Sequence, residues 1–364
     1  MRRARFVIVG SGWRSLYYVR IAKALPERFE LCAMLCRTRE KADKMALGSG
    51  IYATTSEAEC VSMKPDFVVV AVNKSSLAEV SSIWLMRGFT VLCETPAAAD
   101  LDSLHRLWAL HQAGAKLVIA EQYTRYPRYQ AMLKALKDGR IGRRDCINIS
   151  LAHEYHGASL MRAFLDLDAS TPFCVRARTY RFPTTETLTR YERFTDGRVA
   201  EKARTAATFE FSDGRVAFYD FDSEQYRSPI RRNHIKVQGT RGELLDDTLC
   251  WLDGQNNPVE QHFETQIRMQ ATDDPNPNLA QIREVTSIRL GEEMLYTPPF
   301  GLCGLTEDET AIAQLMTATA AYARGEQSEP DSLSHALQDA YMTLLLQAAI
   351  RTGSQQSSEP QPWN

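Results

Sequence analysis

Phe6-Val7-Ile8-Val9-Gly10-Ser11-Gly12-Trp13-Arg14-Ser15-Leu16 is the stretch whose reading decides the fold. Four apolar residues form a strand, and residues 16–25 continue as a helix that ends near Pro26. The turn between them is G-x-G-x-x-G with Ser15 in the last glycine position. Gly10 permits the tight turn, and Gly12 lets the backbone come close to a pyrophosphate held at the helix N-terminus. Trp13 and Arg14 fill the variable positions, and Ser15 is small enough for the helix to pack on the strand. Gly10, Gly12, Trp13, Arg14 and Ser15 are therefore candidate cofactor-binding residues.

Alternation continues outward from this turn. Strands are expected at 29–35, 67–72, 90–93 and 116–120, with helices at 39–46, 77–87 and 101–113 between them. The run at 67–72 is continuously apolar, as in a strand buried on both faces of a parallel sheet. Strands separated by helices of this length imply right-handed crossovers and a doubly wound α/β domain. Val72, Asn73 and Lys74 follow one strand, Glu94 and Thr95 another, and Gln122 and Tyr123 the last. Ligands in such sheets bind beyond the carboxyl ends of the strands, which makes these residues candidates too.

After about residue 122 the pattern changes. A helix at 129–137 precedes a strand at 146–151, and Ser212-Asp213-Gly214 joins alternating runs at 206–211 and 215–221 in a hairpin. A second hairpin turns at Gly239-Thr240-Arg241-Gly242. Residues 273–278 read as a loop, and helices are expected at 307–324 and 333–352. The expected organisation is a Rossmann domain at 1–122, an α/β substrate and oligomerisation domain with a mostly antiparallel sheet at 123–353, and a disordered tail at 354–364.

A net charge of −2 provides no basic field for nucleic acid or an anionic membrane. The longest apolar runs fall short of the roughly 20 residues that span a bilayer. Met1-Arg2-Arg3-Ala4-Arg5 leads directly into the first strand, so a cytoplasmic location is expected. The eight cysteines are scattered without metal-ligand spacing, as in reduced thiols, and no metal is expected.

The second strand of a Rossmann domain usually ends in an acid that binds the adenine ribose. Here it runs into Cys36-Arg37-Thr38. A guanidinium and a hydroxyl suit a 2′-phosphate, which favours NADP over NAD, while Arg37 stacked on adenine is the alternative.

The chain resembles the Gfo/Idh/MocA oxidoreductases. The likeness lies in Val70-Ala71-Val72-Asn73-Lys74-Ser75, in Gly88-Phe89-Thr90-Val91-Leu92-Cys93-Glu94-Thr95-Pro96, in Glu121-Gln122-Tyr123 with Tyr126-Pro127, and in Gly139-Arg140-Ile141-Gly142. The resemblance implies an NAD(P)-dependent enzyme acting on a hydroxyl or carbonyl of a sugar, polyol or related small molecule. It also implies a homodimer or homotetramer built on the second-domain sheet, and a cis bond before Pro96. The family's lysine between Glu and Pro is Thr95 here, which cannot serve as an ordinary base. His156 falls on the family's histidine at a helix start, with Ser159 on its aspartate. Hydride transfer from an alcohol needs a proton acceptor, so His156 is the first catalytic candidate, with His153, Tyr123 and Thr95 beside it. Two alternatives stay open: a cofactor-retaining enzyme that processes glycosides by transient oxidation, and a dinucleotide-binding protein without redox turnover.

Overall fold

The computed structural model describes residues 2–274, 276 and 278–364. Pro275 and Pro277, in the loop expected at 273–278, lie outside them. Contacts divide the chain into two compact units, one from the residues up to Tyr126 with Pro299–Ala340 and Trp363, the other from Pro127–Pro298 with Tyr341–Pro362 and Asn364. The Rossmann unit thus receives a return segment that the expected boundary at residue 122 did not include.

In chain order the first unit builds β1 (Ala4–Val9), α1 (Ser15–Ala24), β2 (Phe29–Leu35), α2 (Arg39–Ser49), β3 (Ala53–Thr54), α3 (Glu57–Ser62) and β4 (Phe67–Val70). It continues with α4 (Leu77–Met86), β5 (Thr90–Cys93), α5 (Leu101–Gln112) and β6 (Leu117–Ile119). The strands order as β3-β2-β1-β4-β5-β6, all parallel, so the order reverses between β1 and β4. Phe67, Val68, Val69 and Val70 are all fully buried, as their unbroken apolar run implies.

The second unit begins with α6 (Pro127–Leu136), β7 (Arg144–Ser150) and α7 (Glu154–Leu165). Then come β8 (Phe173–Thr185), β9 (Val199–Phe211), β10 (Val216–Asp222), β11 (His234–Gly239), β12 (Gly242–Leu245), β13 (Thr248–Leu252), β14 (Pro258–Ala271), β15 (Gln281–Leu290) and β16 (Glu293–Tyr296). Helices α8 (Glu307–Ala323) and α9 (Leu333–Thr352) and the short β17 (Gln356–Ser357) close the chain. The large sheet orders as β16-β15-β14-β13-β12-β11-β7-β10-β9-β8-β17 and is antiparallel except for β7 beside β10. Both expected hairpins are present, β9–β10 and β11–β12. One face of the sheet buries Ile147, Ile149, Val175, Phe209, Ala217 and Tyr219.

Helix α8 returns to the first unit. Its Ile312, Leu315 and Met316 are fully buried in one cluster with Phe6, Ile8, Phe67 and Val69. Thr306 caps it, in a reciprocal box with Glu309.

The tail corrects an expectation. Residues 354–364 are not a disordered tail: β17 pairs with β8, and Trp363 is 3% exposed with its indole N–H donating to Gln338 at 3.0 Å. A single buried aromatic with a satisfied N–H orders a segment whose composition alone reads as disordered. Trp363→Ala is therefore expected to destabilise the protein by about 3 kcal/mol, read by denaturant unfolding. An unchanged midpoint would show that the tail is not docked.

Candidate functional site

In the first unit, Gly10 sits at φ +119°, and a Cβ added there would lie 2.2 Å from the carbonyl oxygen of Ala71. Only glycine lets β1 pass this close to the end of β4. At Gly12 an added Cβ meets nothing within 4 Å, so the turn is open on that side. Ser15 N–H donates to Gly12 O at 3.1 Å and begins α1. The Gly12 amide has no backbone acceptor among the described residues. No acid stands in the first turn of α1, whereas α8 carries Glu307, Asp308 and Glu309 in its own. Aligned peptide dipoles and open amides at an acid-free helix start suit an anion. Ser15 is fully buried and its hydroxyl is unpaired, so it serves packing as the third glycine would. These features fit the pyrophosphate of a dinucleotide.

The other first-unit candidates lie at the same carboxyl edge of the sheet. Asn73 and Lys74 are exposed after β4, and Val72 is half-buried. Thr95 is half-buried after β5, and its bond to Pro96 is cis, as the resemblance implied. Gln122 is buried beyond β6 with its side-chain oxygen unpaired. Tyr123 is buried and stacks on Tyr126, with ring centres 4.7 Å apart. Arg37 is exposed, and Thr38 caps α2 by accepting from the Lys41 N–H at 3.3 Å. Capping occupies one lone pair of the Thr38 hydroxyl and leaves its proton to donate.

Glu94 carries the densest chemistry. Its Oε1 accepts from Arg14 Nε at 2.8 Å and from the Tyr18 hydroxyl at 2.6 Å. Arg14 Nη1 also donates to Asp308 Oδ2 at 2.8 Å. Burial works against the Arg14 charge, but the Asp308 and Glu94 carboxylates outweigh it and lift the guanidinium well above its ordinary range. Burial, then the Glu94 charge, pushes the Tyr18 phenol well above its usual value, so it donates and does not titrate. Burial and Asp308 do the same to Tyr126. Tyr18 and Asp308 escaped the sequence reading, and Tyr126 entered it only as part of the resemblance, with no role at the site. Tyr18 reads there as an ordinary apolar helix position, and Asp308 is distant in the chain.

In the second unit, the histidine segment forms a corner between β7 and α7. Glu154 has φ +23°, an uncommon value for a side chain with a Cβ. Tyr219 holds it there: its hydroxyl accepts from the Glu154 N–H at 2.8 Å and donates to Ala152 O at 3.0 Å. A Cβ at Gly157 would lie 2.6 Å from the Tyr219 ring, so α7 can sit this close only with glycine there. His153 precedes the helix, and its main-chain N–H donates to the Tyr226 hydroxyl at 3.2 Å. Its ring Nδ1 meets the same hydroxyl. His156, in the first turn of α7, is buried, with its ring edge-to-face on His153 at 4.8 Å. The structure thus brings His153, His156 and Tyr226 together, and Tyr226 has no signal in the sequence that could have found it. Ser159 is buried on the same helix with its hydroxyl unpaired. Among the described residues no group of three or more His, Cys, Asp or Glu side chains could hold a metal.

Residues 4–122 match the family model described as oxidoreductase family, NAD-binding Rossmann fold. No curated protein matches the sequence. Solved structures resemble the chain over nearly its whole length. The WlbA dehydrogenase from Bordetella pertussis, in complex with NADH and UDP-GlcNAcA, is 16% identical with a TM-score of 0.63, covering 99% of this chain and 100% of its own. A scyllo-inositol dehydrogenase from Lactobacillus casei is 14% identical with a TM-score of 0.65, covering 98% of each chain. The myo-inositol 2-dehydrogenase from Lactobacillus plantarum is 12% identical with a TM-score of 0.64, covering 98% of this chain and 100% of its own. At such identities the structural likeness speaks for the fold, and residues 4–122 match the Rossmann-fold model of the Gfo/Idh/MocA oxidoreductases.

Proposed function

We propose that the protein is an NAD(P)-dependent dehydrogenase or reductase acting on a hydroxyl or carbonyl of a sugar, polyol or related small molecule. The observation that carries this reading is the open, acid-free turn at Gly12, set where the strand order reverses. The inositol and sugar-nucleotide dehydrogenases that share the fold support the substrate class. A reduced, cytoplasmic setting belongs to the same proposal, and the free thiols of Cys36, Cys60 and Cys93 agree with it.

Gly10, Gly12, Trp13, Arg14 and Ser15 are assigned to the pyrophosphate turn, and Val72, Asn73, Lys74, Glu94, Thr95 and Gln122 to the remaining cofactor edge. Arg37 and Thr38 favour NADP, because a guanidinium and a hydroxyl proton are offered and the end of β2 carries no acid to repel the 2′-phosphate. When bound, the dinucleotide supplies hydride acceptance or donation at its nicotinamide. The catalytic candidates are His156, as acceptor of an alcohol's hydroxyl proton, and separately His153, Tyr123 and Thr95. Thr95 donates or accepts a hydrogen bond but cannot take up the proton near neutral pH.

The proposal extends to a homo-oligomer through the open face of the large sheet. That face exposes Tyr180 (47%), Phe182 (50%) and Phe218 (45%). Tyr180 and Phe218 line a shallow depression of about 640 Å³ with Arg176 and Arg178. Aromatics of this size left open on a sheet are an association surface.

Three measurements test the reading. Calorimetry is expected to show NADP binding tighter than NAD, and Gly12→Val is expected to abolish both while the protein stays folded. Equal affinity for the two nucleotides limits Arg37 to stacking, and a Gly12→Val protein that still binds overturns the site. In a screen of polyols and sugars that follows nicotinamide absorbance, His156→Asn is expected to lower turnover at least about 100-fold with cofactor affinity kept. Full turnover in that variant removes His156 from the chemistry. Light scattering at micromolar concentration is expected to give a multiple of the single-chain mass, and a monomer refutes the sheet-face assembly.

A further inference from the structure

Arg14 does something that a phosphate-binding turn does not require. The turn's own contacts come from backbone amides and glycines, yet the Arg14 side chain leaves the β1–α1 loop and reaches Glu94 at the end of β5. Strand β4 lies between β1 and β5 in the sheet, so this side chain passes the position where the strand order reverses. It then binds a second carboxylate, Asp308, which the chain supplies 294 residues later on α8. The side chains are largely shielded from water: Arg14 is 13% exposed, Glu94 10% and Asp308 23%.

We infer that Asp308 and Arg14 are positioning residues of the cofactor site, a latch through which the return helix α8 sets the dinucleotide turn and the Glu94 carboxylate. This inference rests on the dinucleotide reading proposed above.

Three observations separate the latch from ordinary fastening of helices. First, Asp308 is not needed to start α8, because Thr306 and Glu309 form the reciprocal cap without it. Second, α1 and α8 are already joined about 1.7 turns further along α1 by Arg20 and Glu309. The Tyr17 ring lies beneath both guanidinium groups, 4.8 Å from Arg14 and 4.4 Å from Arg20. Third, Arg14 is the residue that precedes α1, and no side chain caps that helix. Its ion pairs therefore fix the backbone that presents the open amides. Two carboxylates share one guanidinium, and Tyr18 holds the same Glu94 oxygen that Arg14 does. Glu94 is thus oriented through one oxygen. Loss of Asp308 releases one side of the guanidinium, and the turn, Glu94 and the start of α1 lose their common reference.

The experiment compares Asp308→Asn, Asp308→Glu and Arg20→Met with the unaltered protein. Each is titrated with NADP and with NAD by calorimetry, and amide hydrogen exchange is followed in the peptide covering the Gly10–Ser15 turn without cofactor. Asp308→Asn is expected to weaken nucleotide binding about tenfold and to speed exchange in the turn. Asp308→Glu is expected to restore most of both. Arg20→Met removes the neighbouring pair and is expected to lower the melting temperature while affinity stays within about twofold. If Asp308→Asn leaves affinity and turn exchange unchanged, or if Arg20→Met weakens binding as much, the contact is plain helix fastening and the inference is overturned. An unaltered protein that binds neither nucleotide overturns the dinucleotide reading and this inference with it. Asp308→Asn avoids the folding risk of removing Arg14, which would strand the Glu94 charge in a buried site.

Discussion

The approach of Gly10 to Ala71 is the constraint from which the first unit follows. With the Cβ position 2.2 Å from a backbone oxygen, no side chain fits, and β1 can therefore run tight against the end of β4 before it turns into α1. That contact places the start of α1 at the reversal of strand order, and the peptide dipoles of the helix then point at the place where a ligand must lie. The apolar packing of Phe6, Ile8, Phe67 and Val69 holds the two strands in register behind the turn. Stability and chemistry meet at one glycine. The close approach is needed for packing, and the open side two residues on suits the proposed binding.

Much of the first unit was legible because β4 and β5 are buried on both faces and are written as short, nearly unbroken apolar runs. Residues 29–35 and 90–93 were read with their observed boundaries. The second unit was legible mainly at its turns. Strand β14 shows why: almost every residue of Pro258–Ala271 is at least partly exposed, so hydrophobic alternation has nothing to record. Strand β8 reads likewise from Arg178 to Pro183. The docked tail was missed because one tryptophan outweighs a polar composition only when its pocket is known.

For the candidate site the division falls between positions and partners. Gly10, Gly12 and Glu94 could be found from spacing, since their roles come from the local turn or strand end. Arg14 could be named but not understood, because its acceptors lie at Glu94 and Asp308. The pairing of His153 with Tyr226 is equally invisible, since the two meet only when the end of β7 and the segment after β10 come together. Thr95 is the reverse case: the sequence shows plainly that no titratable amine stands between Glu94 and Pro96, and Arg14 and Tyr18 hold the neighbouring carboxylate.

The return of α8 has a consequence for the order of events during synthesis. Leu315 and Met316 complete the core of the first unit, and Asp308 completes the ties of its glycine turn, yet Pro127–Pro298 of the second unit is encoded between them and β6. At about 5–20 residues per second, translation from Glu94 to Asp308 takes on the order of 10–40 s. Through that interval the emerging Rossmann strands lack α8 and the turn lacks its second carboxylate. The nascent chain therefore packs α8 onto its first unit late, after β7 to β16 of the second unit have been synthesised.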